Sequence, residues 1–337
     1  MTDSTHADPA TPPVKWSSII VSAYLPTLMS SLGYGAVIPL IPLTAVHIGA
    51  SAALAAAIAA LVGIGQIIGD VPAGWLVTKI GEKWSLVIAM LIDAVALVSM
   101  GLVHHLGLLA VAVFVNGMAA AVTTVMPDLP PVDVPQTAVD DAPTKISTWT
   151  IAKQNSKVLW TTGLGVTALM VVRSARRSLL PLWCHANGLS PATTDLIYAW
   201  SMAADVLLFL PGGALMDRFG RWWVAVPSIF IQALALLTLP LAHTATTIGI
   251  VALAIGIGNG ASSGIVMTLG SDASPNIGRP QFLAAWRLLS DTGSAMGPIV
   301  VTLVTLAWPL SAASIVMSII GLVGSYWMGR WVPHGKR

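Results

Sequence analysis

Gly213-Ala-Leu-Met-Asp-Arg-Phe-Gly-Arg-Trp-Trp223 is a short, charged, glycine-punctuated stretch set between two long apolar runs. A second stretch, Gly74-Trp-Leu-Val-Thr-Lys-Ile-Gly-Glu-Lys-Trp84, stands 139 residues earlier and repeats its spacing. At that offset Pro72 falls on Pro211, Gly74 on Gly213, Leu76 on Leu215, Gly81 on Gly220 and Trp84 on Trp223. The register continues upstream without a gap: Pro42 and Leu43 fall on Pro181 and Leu182, Gly49 on Gly188, Ser51 on Ser190 and Ala53 on Ala192. One register held over roughly forty residues is not a chance repeat, so the chain contains two related halves.

At 55% apolar and 9% charged residues the chain is too hydrophobic for an ordinary core to hide, whereas a bilayer solvates such surface. No basic patch with interleaved aromatics is present, which argues against nucleic acid as a partner. The single cysteine, Cys184, excludes an internal disulfide. Residues 1–15 are polar, with no basic region ahead of an apolar core, so no signal peptide is expected.

Apolar runs fall at roughly 17–42, 53–73, 85–103, 107–126, 158–182, 192–213, 223–241, 247–268, 282–304 and 311–329. Each approaches the roughly 20 residues that cross about 30 Å of hydrocarbon. The expected fold is therefore all-α, a polytopic membrane protein of about ten transmembrane helices. Lys and Arg set its orientation. Loops on one side carry Lys79, Lys83, Lys145, Lys153, Lys157, Arg218, Arg221 and Arg279, and the tails add Lys15, Arg330, Lys336 and Arg337. Loops on the other side, near 45–52, 104–106, 184–190, 243–247 and 308, carry none. Both termini are expected in the cytoplasm and the protein in the plasma membrane. The proline-rich polar segment between Met126 and Lys157 is expected to be a cytoplasmic linker. It divides the chain into an N-terminal half-bundle of about four helices (1–126), the linker (127–157) and a C-terminal half-bundle of about six (158–337).

The pattern Gly-x-Leu-x-Asp-Arg-x-Gly-Arg at Gly213–Arg221 resembles the cytoplasmic loop signature of the major facilitator superfamily, which lies between the second and third helices of each half. The resemblance implies two six-helix halves. Here the two copies are too close for that, and the exit-like Val125-Met126-Pro127-Asp128 follows directly on Asn116-Gly117-Met118, which looks like a fourth helix. A fifth helix and most of a sixth are expected to be absent, giving a 4+6 arrangement. Losing two helices preserves the orientation of everything that follows.

The second loop copy offers Asp217, Arg218 and Arg221 as bridges between helix ends, with Gly213 and Gly220 allowing the tight turn. In the first copy Gly74, Lys79, Gly81 and Lys83 remain, but Thr78 replaces the acid; Asp70, about two turns upstream, could substitute only from a helix reaching deeper. Either the loops latch one conformer, or they are positive-inside anchors. Within the helices, Asp93, Asp205, Asp291, Arg173, Arg176, Arg177 and Arg287 stand among apolar residues, where a lipid-facing charge costs several kcal/mol. They are expected to face the bundle interior as a substrate and proton pathway, or else to lock helices together as ion pairs. Arg173, Arg176 and Arg177 share one helix face, and Arg287 and Asp291 lie one turn apart. Arg173 is expected deep in the bundle near an acid or an anionic substrate group, and Arg177 nearer the outer surface as an anchor. Gly293, Gly297 and Pro298 resemble the Gly-x3-Gly-Pro element of the superfamily's exchangers and mark a kink with close helix packing. Gly256-x-Gly258-Asn259-Gly260 is expected to serve packing as well, and Trp16, Trp75, Trp84, Trp183, Trp222, Trp223, Trp308, Trp327 and Trp331 to form an interfacial belt.

No nucleophile set, metal-spaced cluster or phosphate loop is visible, so no cofactor, no metal site and no enzyme activity are expected. The resemblance implies alternating-access transport of a small organic solute in exchange with protons, in the efflux direction, with Asp93, Asp205 or Asp291 as proton acceptor. Uptake by the same fold, or a transport-inactive membrane remnant or interaction protein, are the alternatives. The only other partners implied are membrane lipids.

Overall fold

The computed structural model describes residues 39–125, 148–275 and 277–333. The N-terminal tail, most of the first apolar run and the linker's central part lie outside the described residues. The helices are α1 (Leu40–His47), α2 (Ala52–Ile80), α3 (Glu82–Leu102), α4 (Leu106–Val125), α5 (Thr148–Gln154), α6 (Leu164–Ala186), α7 (Pro191–Phe219), α8 (Trp222–Thr238), α9 (Ala245–Ala261), α10 (Ile265–Ala273), α11 (Arg279–Thr305) and α12 (Leu310–Trp331). A turn at Ser156–Val158 and a π-helical turn at Leu159–Gly163 lead into α6. Among the described residues eight helical segments are long and apolar enough to cross a membrane, and Leu106–Val122 is a shorter apolar one. With α1, which continues the first apolar run, this matches the expected all-helical bundle.

The repeat governs the backbone. α2 and α7 are both 29 residues long and start and stop at the 139-residue offset. The turns that bound them also match. Gly49 and Gly188 have φ of 102° and 73°, and Gly81 and Gly220 have 81° and 101°, a region that favours glycine. The match extends to packing. A Cβ on Gly117 would meet the Val62 carbonyl oxygen, and a Cβ on Gly256 would meet that of Ser201, two contacts related by the same offset. Glycine is required in both places because α4 lies against α2, and α9 against α7, at backbone distance.

Several boundaries differ from expectation. α2 and α7 run past the expected ends at 73 and 213 to Ile80 and Phe219. Gly74, Lys79, Gly213, Asp217 and Arg218, expected in loops, are therefore helical, and the turns are made at Gly81 and Gly220. α1 runs to His47 instead of ending at 42. The run at 247–268 is two helices: Ser262, Ser263 and Ile265 donate to carbonyls three residues back, which ends α9 before α10 restarts at Ile265. The segment expected as linker to residue 157 is helical from Thr148, because Ile151 packs into the space that Gly278 leaves beside α11.

In the first half α4 packs on α2 and α3; in the second, α7 pairs with α9, α8 with α12 and α6 with α11. The halves meet chiefly where α2 crosses α11, with a smaller contact of α6 on α1 and α2. The crossing is close: a Cβ on Gly63 would lie 2.8 Å from Ala295 Cα. On the face whose loops lack Lys and Arg, one core holds residues of both halves, including Ile41, Ala45 and Ala55 with Leu179, Leu182 and Trp183. On the basic face the described residues form separate cores. Ala73, Ala89, Ala121 and Val122 belong to the first half, and Leu169, Met216, Ile265, Phe282 and Met328 to the second. The halves are joined at one end and packed independently at the other.

Trp75, Trp84, Trp223, Trp308 and Trp331 are exposed near helix ends as expected for a belt, but Trp183 is buried and donates to the Ala242 carbonyl at 2.7 Å. Trp222 donates to the Gly329 carbonyl and Trp327 to that of Thr161, so these two also tie helices together.

Candidate functional site

The helical period puts Arg173 and Arg176 on the inward face of α6, and the structure divides their partners. Arg176 is buried and donates to both carboxylate oxygens of Asp205 on α7, at 2.9 Å and 3.3 Å, and to Ser201 Oγ at 2.9 Å. Its guanidinium lies 5.4 Å from the centroid of the Tyr198 ring. Asn259 on α9 donates to the same carboxylate at 2.7 Å. Gly260 makes this possible, since a Cβ there would collide with the backbone of Asp205. The glycine pattern at 256–260 therefore serves packing, as expected, and also brings Asn259 to a buried charge. Asp205 is fully engaged within the second half.

Arg173 also points inward. Its Nη2 donates to the carbonyl and hydroxyl oxygens of Ser262, at 3.1 Å and 2.9 Å, where α9 ends. Of the acids expected near it, Asp205 has its close contacts with Arg176, Asp291 with Arg287 and Asp93 with Asn116. Arg177 departs from the anchor expectation. It is half-buried and lines a small cavity where the two halves meet, with Ile41 of α1, Gly63 of α2, and Ser294 and Pro298 of α11.

A second cluster joins the halves at the α2–α11 crossing. Arg287 lies 3.5 Å from an Asp291 oxygen one turn along α11, the expected pair, and 3.7 Å from an Asp70 oxygen on α2. The two carboxyls also face each other. Two carboxylates beside one guanidinium leave a surplus negative charge that a single proton neutralises. Asp70 lies ten residues, about 15 Å along the helix, from the end of α2 at the basic face, and it closes the apolar span Ala52–Asp70. Gly293 and Gly297 let α11 approach α6: a Cβ on Gly293 would meet the Thr167 carbonyl oxygen at 2.6 Å, and one on Gly297 would collide with Ser174. Pro298 lies within α11.

Asp93 stands apart. Its carboxylate accepts from the Asn116 amide, which ties α3 to α4, and the structure does not bring it to the other charges. At the second loop copy Arg221 bridges helix ends as expected, but its principal partner is Asp272 at the end of α10, at 2.9 Å. Asp217 lies 3.6 Å from Arg221 with a side chain 79% exposed, and Arg218 covers the Phe219 ring. In the first copy Lys79 lies over the Trp75 ring and Lys83 is exposed; Asp70 turns to Arg287 and not to these lysines. Gly213 has open space around it, while Gly81 and Gly220 take the positive φ that the turn requires.

Sequence reasoning missed Asn259, Ser262 and Asp272 as partners. Asn259 and Ser262 lay in a pattern explained by glycine alone, and Asp272 belongs to no repeat. Asp70 was weighed only as a stand-in for the loop acid; its depth within α2 was the signal for a different role.

No curated protein matches the chain in sequence. Among solved structures, the nucleoside transporter NupG aligns with a TM-score of 0.68 at 13% identity over 88% of this chain and 95% of that one. A D-xylose-proton symporter aligns with a TM-score of 0.61 at 14% identity over 91% and 97%. At such identities the likeness is one of fold. The family model of the Major Facilitator Superfamily matches residues 24–131, 121–298 and 162–337. Those segments cover both copies of the glycine-bounded loop and the helices around them, and by that match and its two-half fold the chain belongs to the Major Facilitator Superfamily.

Proposed function

We propose that this family member is a proton-coupled carrier of a small organic solute that works by alternating access. In this reading the half-bundles 1–126 and 158–337 rock about the α2–α11 crossing, joined by the 127–157 linker, with both termini on the cytoplasmic side of the plasma membrane. One observation carries it: the Asp70–Arg287–Asp291 cluster joins the two halves at the α2–α11 crossing. A proton arriving there removes the charge surplus and changes how strongly α2 holds α11, which is how protonation is made to bias a two-state element. The separate cores at the basic face and the shared core at the other support a conformer open toward the cytoplasm.

Efflux draws support from the Gly293–Pro298 element, which resembles that of exchangers. Uptake draws support from the structural likeness to a D-xylose-proton symporter. An inactive remnant draws support from the twenty-two residues between Val125 and Thr148, too few for two crossings of roughly 20 residues each.

The test is flux in liposomes carrying an imposed pH gradient, challenged with sugars, nucleosides and small organic acids. At least one solute is expected to move together with protons, and the sign of the pH change gives the direction. Asp70→Asn and Asp291→Asn are expected to leave solute counterflow while removing proton flux. No movement of any solute favours the remnant, and unchanged coupling in both variants removes the cluster from the mechanism.

A further inference from the structure

We propose that Arg173 and Arg177 bind the anionic group of the transported solute, a carboxylate or phosphate, where the two halves meet. This rests on the carrier reading above and adds the substrate's charge. The charged groups acting on Arg173 are Asp205, Arg176 and Arg177. One carboxylate and two further guanidiniums thus act on Arg173, and Arg176 occupies both oxygens of that carboxylate. Among the described residues neither Arg173 nor Arg177 has a carboxylate within ion-pair distance. Asp195, another acid of α7, has a buried oxygen without a hydrogen-bond partner and pairs with neither.

An arginine stays charged at any accessible pH, so this surplus of positive charge cannot be removed by losing a proton. Nor do these residues reach the surface readily. Arg177 and Arg173 lie nine and thirteen residues from the end of α6 at Ala186, about 13 Å and 20 Å deep. Buried positive charge in hydrocarbon calls for an anion. The positions of the two side chains indicate where it binds. Arg173 Nε is buried without a hydrogen-bond partner, although Nη2 is held by Ser262. Arg177 is the charged residue of the cavity between α1, α2, α6 and α11, and Ser294 adds a hydroxyl donor there. The cavity measures about 10 Å³, room for a single water. In this conformer it is closed, and the anion binds when the halves part around it. Movement at the α2–α11 crossing opens and closes the same space, since Gly63 and Pro298 line it.

A soluble organic acid and an anionic lipid headgroup offer the same chemistry, and the experiment separates them. The full chain is placed in phosphatidylcholine nanodiscs, and its thermal stability is titrated with benzoate, lactate, inorganic phosphate and the neutral benzamide. At least one anion is expected to stabilise saturably while benzamide does not. In Arg173→Gln and Arg177→Gln its half-saturating concentration should rise about tenfold or more, the loss of a charge-assisted contact. Arg177→Lys, which keeps the charge and should fold where the glutamine variant does not, is expected to retain part of the binding. Stabilisation seen only in discs containing phosphatidylglycerol, and lost in Arg177→Gln, assigns the site to a lipid headgroup. Equal effects of benzamide and benzoate, no stabilisation by any anion or anionic lipid, or unchanged binding in the variants overturns the proposal. Transport of a neutral solute that ignores both arginines would overturn it and leave the carrier reading standing. Arg177-dependent anion binding without any flux would overturn the carrier reading and, with it, the assignment of the anion to a transported solute, leaving only an anion site.

Discussion

Replacing Asp205 with Asn should damage stability before it damages anything else. The carboxylate accepts from Arg176 on α6 and Asn259 on α9, so three helices meet on one side chain. The two ion-pair side chains are only 6% and 9% exposed. An amide of the same shape keeps one acceptor oxygen for Arg176 but removes the negative charge, leaving a buried guanidinium uncompensated beside two further arginines. Removing one member of a buried ion pair costs about 3–5 kcal/mol, because the other charge stays behind uncompensated. The double variant Arg176→Met, Asp205→Leu removes both charges and should lose less. Its residual cost is about 1–3 kcal/mol, from the Asn259 amide that no longer finds an acceptor. The measurement is reversible unfolding of the four corners of this cycle in mixed micelles, followed by tryptophan fluorescence. Asp205→Asn as stable as wild type, or the double variant as unstable as the single, would refute the structural role. A stable Asp205→Asn protein that had lost its proton flux would instead return Asp205 to the list of proton acceptors.

The remaining predictions are briefer. Cysteine labelling in intact cells should reach a probe at residue 47 or 245 and not one at 136, and labelling at 136 would overturn the orientation. Asp217→Asn should leave transport and stability near wild type, whereas Asp272→Asn should slow transport several-fold at normal expression, because Arg221 is held chiefly by Asp272; the opposite order in a flux assay would restore Asp217 as the latch. Gly256→Val should impair assembly and expression, since its Cβ has no room against Ser201, while Gly213→Ala, with open space around it, should express normally; equal expression of the two would contradict the packing account.

The fold was legible because the repeat is a statement about backbone geometry. A glycine with positive φ, a proline at a fixed place in a helix and a glycine under a neighbour's carbonyl each leave a residue type behind, and each recurs at the same offset. The membrane setting and the resemblance to the superfamily rest on the same features. Charge partners were less legible, since an ion pair needs only proximity, and helices far apart in sequence supply it. Arg287 and Asp291 could be paired from their spacing, but Asp70 lies 217 residues from Arg287 and no period connects them. Likewise the arginine row was visible as a row, yet the sequence does not say that Arg176 takes Asp205 and leaves Arg177 in the cavity.

The shortened first half explains a place where the repeat breaks. α2 and α7 are equivalent, but α2 lies against α11, while the first-half counterpart of α11 would occupy residues 140–166, of which 148–163 already form α5 and the turns entering α6. Among the described residues α7 therefore lacks the neighbour that α2 has. Among the described residues its Val206, Leu207, Phe209 and Leu210 are exposed. At the 139-residue offset Asp70 falls on Phe209. On α2 the carboxylate is affordable because Arg287 meets it from across the crossing. Among the described residues no such helix arrives on α7, and an unpaired carboxylate facing hydrocarbon would cost several kcal/mol. An aromatic ring, 54% exposed, suits that environment at no such cost. The substitution matches what surrounds each position: the carboxylate stands where α11 meets it, and the ring where, among the described residues, no helix does.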